Sequence, residues 1–156
     1  MKLKWKPLVL CIALPLAVGG LASILSMDGI RAFDALVKPA LTPPGWVFPA
    51  VWTALYILMG TASWLVLTSR RSREDIEAAL TVYLCQLALN FFWPILFFRL
   101  RLYLFAFFWL TALWLMVLAT MAFFHKLSRP AGLTLLPYLV WIIFAGYLNF
   151  GVYLLN

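Results

Sequence analysis

Lys38-Pro39-Ala40-Leu41-Thr42-Pro43-Pro44-Gly45-Trp46-Val47-Phe48-Pro49-Ala50-Val51-Trp52 is the stretch on which the reading of this chain turns. Each proline fixes φ near −65° and biases the residue before it away from the α region, so residues 38–44 are expected to be extended. A helix is then expected from about Gly45 or Trp46, with Pro49 in its first turn, where a missing N–H is least costly. No charged residue follows until Arg70, so this helix is long and apolar. Trp52 and Tyr56 lie one turn apart on it and give it an aromatic, partly polar stripe.

Outward from that stretch the whole chain is apolar. Its 156 residues are 66% hydrophobic and 11% charged, with a mean hydropathy of +1.01. Globular proteins are about 45–50% apolar and about 25% charged. A helix crosses a bilayer with about 20 apolar residues, and the charged residues cluster so that five such runs remain, near 7–27, 46–68, 78–98, 102–124 and 133–154. The fold class expected is therefore all-α: a single integral-membrane bundle of five transmembrane helices over 1–156, with a lid loop at 28–45. The first run follows Lys2, Lys4 and Lys6 as a signal peptide would, but it is too long for a signal's apolar core and lacks a cleavage site, so it is read as the first helix.

The formal net charge of +7 does not point to nucleic acid, because the basic residues sit at helix ends. Lys2, Lys4, Lys6, Arg70, Arg71, Arg73, Lys126 and Arg129 fall on one side of the bundle, and Arg31, Lys38, Arg99 and Arg101 on the other. Eight against four places the N-terminus in the cytoplasm. Cys11 and Cys85 lie in different apolar runs without metal-ligand spacing and read as small reduced core residues. No metal site is expected, and His125 beside Lys126 reads as a solvated interface residue.

Helix one carries Ala13, Pro15, Ala17, Gly19, Gly20, Ala22 and Ser23, so close packing against a neighbour or a second copy is expected. Between Gly29 and the prolines, Ile30, Arg31, Phe33, Asp34, Ala35 and Leu36 suggest a short amphipathic helix within a lid. Gln86, Asn90 and Trp93 share one face of helix three. Polar groups at bilayer depth are costly unless they face a partner or a cavity, so this face points inward, either bonding across helices or lining a site. Helix four has Tyr103, Phe105, Phe107, Phe108, Trp109 and Trp114 on every side, which suits lipid contact and packing. On helix five Tyr138, Trp141, Ala145 and Asn149 share a face.

Three blocks together resemble the translocator proteins, also called tryptophan-rich sensory proteins or peripheral benzodiazepine receptors. They are Lys38-Pro39, Pro43-Pro44, Trp46, Pro49, Val51-Trp52, Leu55-Tyr56 and Met59-Gly60; then Leu89-Asn90, Trp93-Pro94 and Phe97-Phe98; then Pro137-Tyr138-Leu139, Trp141, Phe144-Ala145 and Leu148-Asn149. The resemblance implies a five-helix protein of the lipid bilayer, multi-pass in a bacterial cell membrane, usually a homodimer. It implies binding of porphyrins such as protoporphyrin IX and haem, of sterols and of benzodiazepine-type ligands, with no further cofactor required. The family's pocket maps to Trp52, Asn90, Trp93, Trp141 and Ala145, closed by the loop before helix two. Three departures stand out. No acidic residue lies on helix four, Phe33 and Leu41 replace a common tyrosine and tryptophan, and the residues after Asn149 lack the base that the weak sterol-recognition pattern needs.

There is no Ser/His/Asp set, no phosphate loop and no intramembrane carboxylate pair, so hydrolysis, phosphoryl transfer and ion pumping have no residues to run on. The expected site is an aromatic cage of Phe33, Trp52, Tyr56, Asn90, Trp93, Tyr138, Trp141, Ala145 and Asn149, with Lys38, Pro39, Pro43, Pro44 and Trp46 as its lid. Asn90 and the indole N–H groups would orient a flat apolar guest. Trp5, Trp46, Trp64 and Trp109 read instead as interfacial anchors. Three functions fit: a binding, translocating or sensory protein; a light-dependent porphyrin-degrading enzyme using Trp52 and Trp141; or a structural membrane partner.

Overall fold

The computed structural model describes residues 5–156, and Lys2 and Lys4 of the charge count lie outside them. Among the described residues the regular structure is all helical, without strands, and five helices are long and apolar enough to cross a membrane. In chain order they form α1 (Trp5–Leu25), α2 (Met27–Phe33), α3 (Val47–Leu67), α4 (Arg73–Pro94) running on into a π-helical turn (Ile95–Arg99), α5 (Tyr103–Leu127), α6 (Arg129–Thr134) and α7 (Leu136–Leu155).

Helix α1 continues through Pro15, which lies buried with Gly19 and Ala22 on the face that meets the bundle. Its neighbour is α3. A side-chain carbon added at Gly60 would lie 2.6 Å from the Cys11 carbonyl oxygen and collide with the Ile12 backbone, and one at Gly19 would collide with the Tyr56 ring. The small residues thus allow backbone-to-backbone approach, as is usual between helices in lipid.

The polar connections depart most from the expected boundaries. Helix α4 starts at Arg73 rather than 78, because Ser72 caps it: its Oγ accepts from the Asp75 N–H at 3.1 Å. Glu74 and Asp75 then favour the first turn's dipole. Apolarity marks where a helix enters the bilayer, not where it begins. For the same reason α5 runs on to Leu127, past 124, with His125 and Lys126 in its last turn. The single fifth helix expected over 133–154 is two, broken at Leu135. Pro130 and Pro137 each sit in the first turn of a helix, and Pro137 has no N–H to bond back to the Leu133 carbonyl, so the helical ladder is interrupted there. The amphipathic lid helix begins at Met27, earlier than its pattern suggested, and Asp34 caps its end.

From Asp34 the lid loop is built by short-range bonds. The Thr42 hydroxyl donates to the Pro39 carbonyl at 2.7 Å, and Leu41 takes a positive φ of 68° to close that turn. Trp46 caps α3, one or two residues later than expected. The lid lies along α7. Tyr147 donates to the Ala40 carbonyl at 2.7 Å, and Asn156 exchanges two bonds with the Val37 backbone, at 3.1 and 2.9 Å. A side-chain carbon at Gly151 would sit 2.6 Å from Pro39 Cβ, so α7 and the lid are in close contact there.

Candidate ligand cavity of the helical bundle

Three helices supply a continuous polar tie at mid-bundle. The Tyr56 hydroxyl of α3 donates to Asn90 Oδ1 of α4 at 2.8 Å. Asn90 Nδ2 donates to the Tyr138 hydroxyl of α7 at 2.7 Å, which in turn donates to Gln86 Oε1 at 3.0 Å. All four residues are buried. An isolated buried amide or hydroxyl would be costly, and mutual bonding removes that cost while fixing the three helices against one another. Of the two roles open to Gln86 and Asn90, bonding across helices is realised for both.

Above this tie the bundle opens into a cavity of about 440 Å³ under the lid, within the range of about 300–1,000 Å³ usual for small-molecule sites. Trp52 and Tyr56 of α3, Asn90 and Trp93 of α4, and Trp141, Ala145 and Asn149 of α7 line it, with Phe33, Lys38, Pro39 and Pro43 from the lid. Trp52 stands at the centre of one wall. Its ring lies 5.7 Å from Tyr56 and 6.2 Å from Trp93, at interplanar angles of 31° and 30°. Trp93 stacks on Phe97 at 5.4 Å and 19°. Trp141 meets Phe48 edge-on at 6.3 Å. Such gently tilted rings present flat apolar faces to the space between them.

The polar atoms of this wall divide into two groups. Asn90 has its oxygen and one amide hydrogen taken up by Tyr56 and Tyr138, so it acts first as a tie rather than as the orienting group expected. The Trp93 N–H donates to Asn149 Oδ1 at 3.1 Å, and Asn149 donates to the Tyr103 carbonyl at 2.7 Å. By contrast the Trp141 N–H is buried with no partner in the protein.

Of the residues expected at the site, Tyr138 does not line the cavity. It is fully buried behind Trp52, edge-on at 6.2 Å. Pro44 and Trp46 also lie outside the lining, and Trp46 is 71% exposed. Of the other tryptophans read as anchors, Trp5 is exposed, whereas Trp64 is half-buried with its N–H enclosed and unpartnered. Trp109 donates to the Leu89 carbonyl at 2.8 Å and so ties α5 to α4. An anchor at the interface keeps its N–H toward water or headgroups, which neither Trp64 nor Trp109 does.

Residues the sequence reading missed also line the cavity: Gly19 and Ser23 of α1, Asp34 and Thr42 of the lid, Phe48, and Phe97 and Phe98 of the π turn. Asp34 makes an exposed ion pair with Lys38 at 3.4 Å, and the Lys38 ammonium lies 5.1 Å from the centre of the Phe33 ring. Gly19 was legible as a small residue, but only its opposition to Tyr56 brings it to the site.

A multi-pass membrane bundle with an aromatic cavity under a proline lid defines the class. The model of the TspO/MBR family matches residues 11–155. The chain is 40% identical over 150 residues to the tryptophan-rich protein TspO of Chlorobaculum tepidum, covering 96% of this chain and 95% of that one. It is 39% identical to the TspO of Archaeoglobus fulgidus, at 96% coverage of both chains. To the translocator protein of Bos taurus it is 37% identical, over 96% of this chain and 89% of the other. The chain belongs to the TspO/MBR family of translocator and sensory membrane proteins.

Proposed function

We propose that this protein binds flat, largely apolar ring systems, porphyrins such as protoporphyrin IX and haem foremost, in the cavity between α3, α4 and α7, and that its translocating or sensory role acts through that binding. The observation that carries this reading is the indole wall of Trp52 and Trp93 facing a cavity of about 440 Å³ that Trp141 also lines. Aromatic faces stack on a flat guest, and three indoles from three different helices offer such faces here. Sterols and benzodiazepine-type compounds match the same apolar walls without needing a charged partner. Titration of the purified protein with protoporphyrin IX, followed by tryptophan quenching, tests the reading: saturable one-to-one quenching is expected, and a linear, non-saturating response contradicts it.

A second reading is favoured by the position of Trp52 and Trp141, two oxidisable indoles that both line the cavity. In that reading the protein degrades the bound porphyrin in light, with dioxygen as oxidant. Mass spectrometry of protein and porphyrin held in light and in darkness separates binding from turnover. Two further proposals concern assembly: the N-terminus lies in the cytoplasm, by the excess of basic residues on its side, and the protein is a homodimer. A reporter fused after Asn156 is expected to be active only outside the cytoplasm, and cross-linking in membranes is expected to trap a two-chain species.

A further inference from the structure

A second cavity of about 230 Å³ lies between α2 and the start of α5 and is lined by Gly29, Leu36, Arg101 and Tyr103 together with Phe33, Phe97 and Phe98. The last three residues also line the main cavity. The partition between the two spaces is thus a set of phenyl rings, with centroids 5.8 Å apart for Phe33 and Phe97, 5.5 Å for Phe33 and Phe98, and 4.9 Å for Phe97 and Phe98. No hydrogen bond links these rings, whereas the lid's opposite border is bonded to α7 through Tyr147 and Asn156. The partition is held by ring packing alone: Phe97 is buried against Trp93 and Tyr103, whereas Phe33 and Phe98 are half-buried and are the rings whose rotation would open this border.

The smaller cavity carries one cation. Arg101 takes a positive φ of 54°, an unfavourable conformation for a residue with a side chain. Its neighbour Arg99 is engaged, donating to the Leu25 carbonyl at 3.3 Å. Among the described residues the ion pairs are Lys38–Asp34 and Arg73–Glu77, so Arg101 has no acidic partner. At about 230 Å³ the space falls below the roughly 300 Å³ that a whole drug-sized ligand occupies. It fits the edge of such a molecule.

We propose that the smaller cavity is a vestibule site, in which Arg101 holds the acidic edge of a flat apolar ligand before the phenyl partition admits its ring system to the main cavity. This rests on the reading of the main cavity as a ring-binding site and adds a recognition step for ligands that carry carboxylates. A charge at the rim of a site acts mainly on association rate, and salt weakens it. Gly29 sets how tightly the partition is held. Any side-chain carbon there would collide with the Phe98 backbone carbonyl, so α2 rests directly on the π turn.

The test is stopped-flow association of the full-length protein in nanodiscs with protoporphyrin IX, which has two carboxylates, and with its uncharged dimethyl ester. Arg101→Gly removes the cation and suits the backbone, since glycine accepts positive φ freely. It is expected to slow the diacid by about sevenfold at low salt, the scale of one charge attracting two carboxylates at roughly 7 Å through water. The diester is expected to be unaffected, and Arg101→Lys to restore the diacid rate. Gly29→Ala, which must lift α2 from the π turn, is expected to speed both entry and exit of the diester. Diacid and diester slowed alike, or neither slowed, in Arg101→Gly overturns the cation's role; a lysine variant as slow as the glycine one does the same. Unchanged diester exchange in Gly29→Ala overturns passage through the partition. Wild-type protein that takes up neither porphyrin removes the main-cavity reading and the vestibule together, whereas uptake of both at a variant-independent ratio removes the vestibule alone.

Discussion

The two halves of this bundle use the same residue types to opposite ends. In the half away from the lid, Met59, Ala62 and Val66 of α3 meet Ala79 and Tyr83 of α4 and Leu113, Val117 and Phe124 of α5, and none is more than 2% exposed. Tyr83 and Phe124 pack at 5.7 Å. In the lid half, Trp52 lies almost as close to Tyr56 and Trp93, yet these rings and Trp141 line a cavity. The polar tie from Tyr56 through Asn90 and Tyr138 to Gln86 lies between the halves. A membrane bundle gains no hydrophobic drive from pressing its helices together, because lipid is as apolar as the core. Space can therefore be kept open where rigid rings and a hydrogen-bonded floor prevent collapse.

The sharpest way to break that contrast is in the packed contact of α1 with α3. Gly60→Val forces atoms into the Ile12 backbone, which has no flexible side chain to yield. Overpacking of this kind costs up to about 3 kcal/mol, so a large fall in the melting temperature in detergent is expected. Gly20→Val, at a position with open space around it, is expected to leave the melting temperature unchanged. Equal losses from both would mean that the close approach of the two helices is not what holds them.

A smaller effect is expected from the floor. Asn90→Ala deprives Tyr56 of its acceptor and Tyr138 of one donor, while Tyr138 keeps Gln86. Interhelical bonds in lipid are worth about 0.6–2 kcal/mol each, so a measurable but modest drop in thermal stability is expected. No change would show that the tie does not separate the halves energetically. Smaller still is the effect expected from the lid's fastening. Tyr147→Phe combined with Asn156→Ala removes the bonds to Ala40 and Val37. These bonds are exposed and water replaces them at little net cost, so the lid loosens and bound ligand is expected to dissociate about fivefold faster, roughly 1 kcal/mol in all, with little change in melting temperature. An unchanged off-rate would make the loop a connector only.

The two halves also differ in how far they were legible. Five spans follow from apolar run length, and the opening of α3 follows from Pro43, Pro44 and Pro49, because both rest on local chemistry. Trp52, Asn90, Trp93, Trp141 and Ala145 could be placed on inward faces by helical spacing. Phe97 and Phe98 could not, since the π turn alters the periodicity beyond Pro94. Gly19 and Ser23 come to the cavity only through the packing of α1 on α3, which no single helix records. Tyr138 carries the right spacing, but its hydroxyl is turned to Asn90 and Gln86 behind the wall. The start of α4 at Arg73 and the break at Leu135 depend on capping and on proline, where an apolarity window sees only a polar margin.

The distinction between rings that line the cavity and rings that only pack is tested most directly by measuring protoporphyrin IX affinity and melting temperature together for Trp52→Ala and Trp109→Ala. Trp52 lines the cavity, whereas Trp109 ties α5 to the Leu89 carbonyl. Loss of stacking, worth about 0.5–1.5 kcal/mol beyond area burial, is expected to weaken binding by more than about tenfold in Trp52→Ala, since roughly 1.4 kcal/mol is a factor of ten. Trp109→Ala is expected to lower the melting temperature and leave the affinity within about twofold, well under that factor of ten. Affinities that fall equally in both variants, in step with loss of folded protein, would contradict the account and make the rings around the cavity packing residues like the rest.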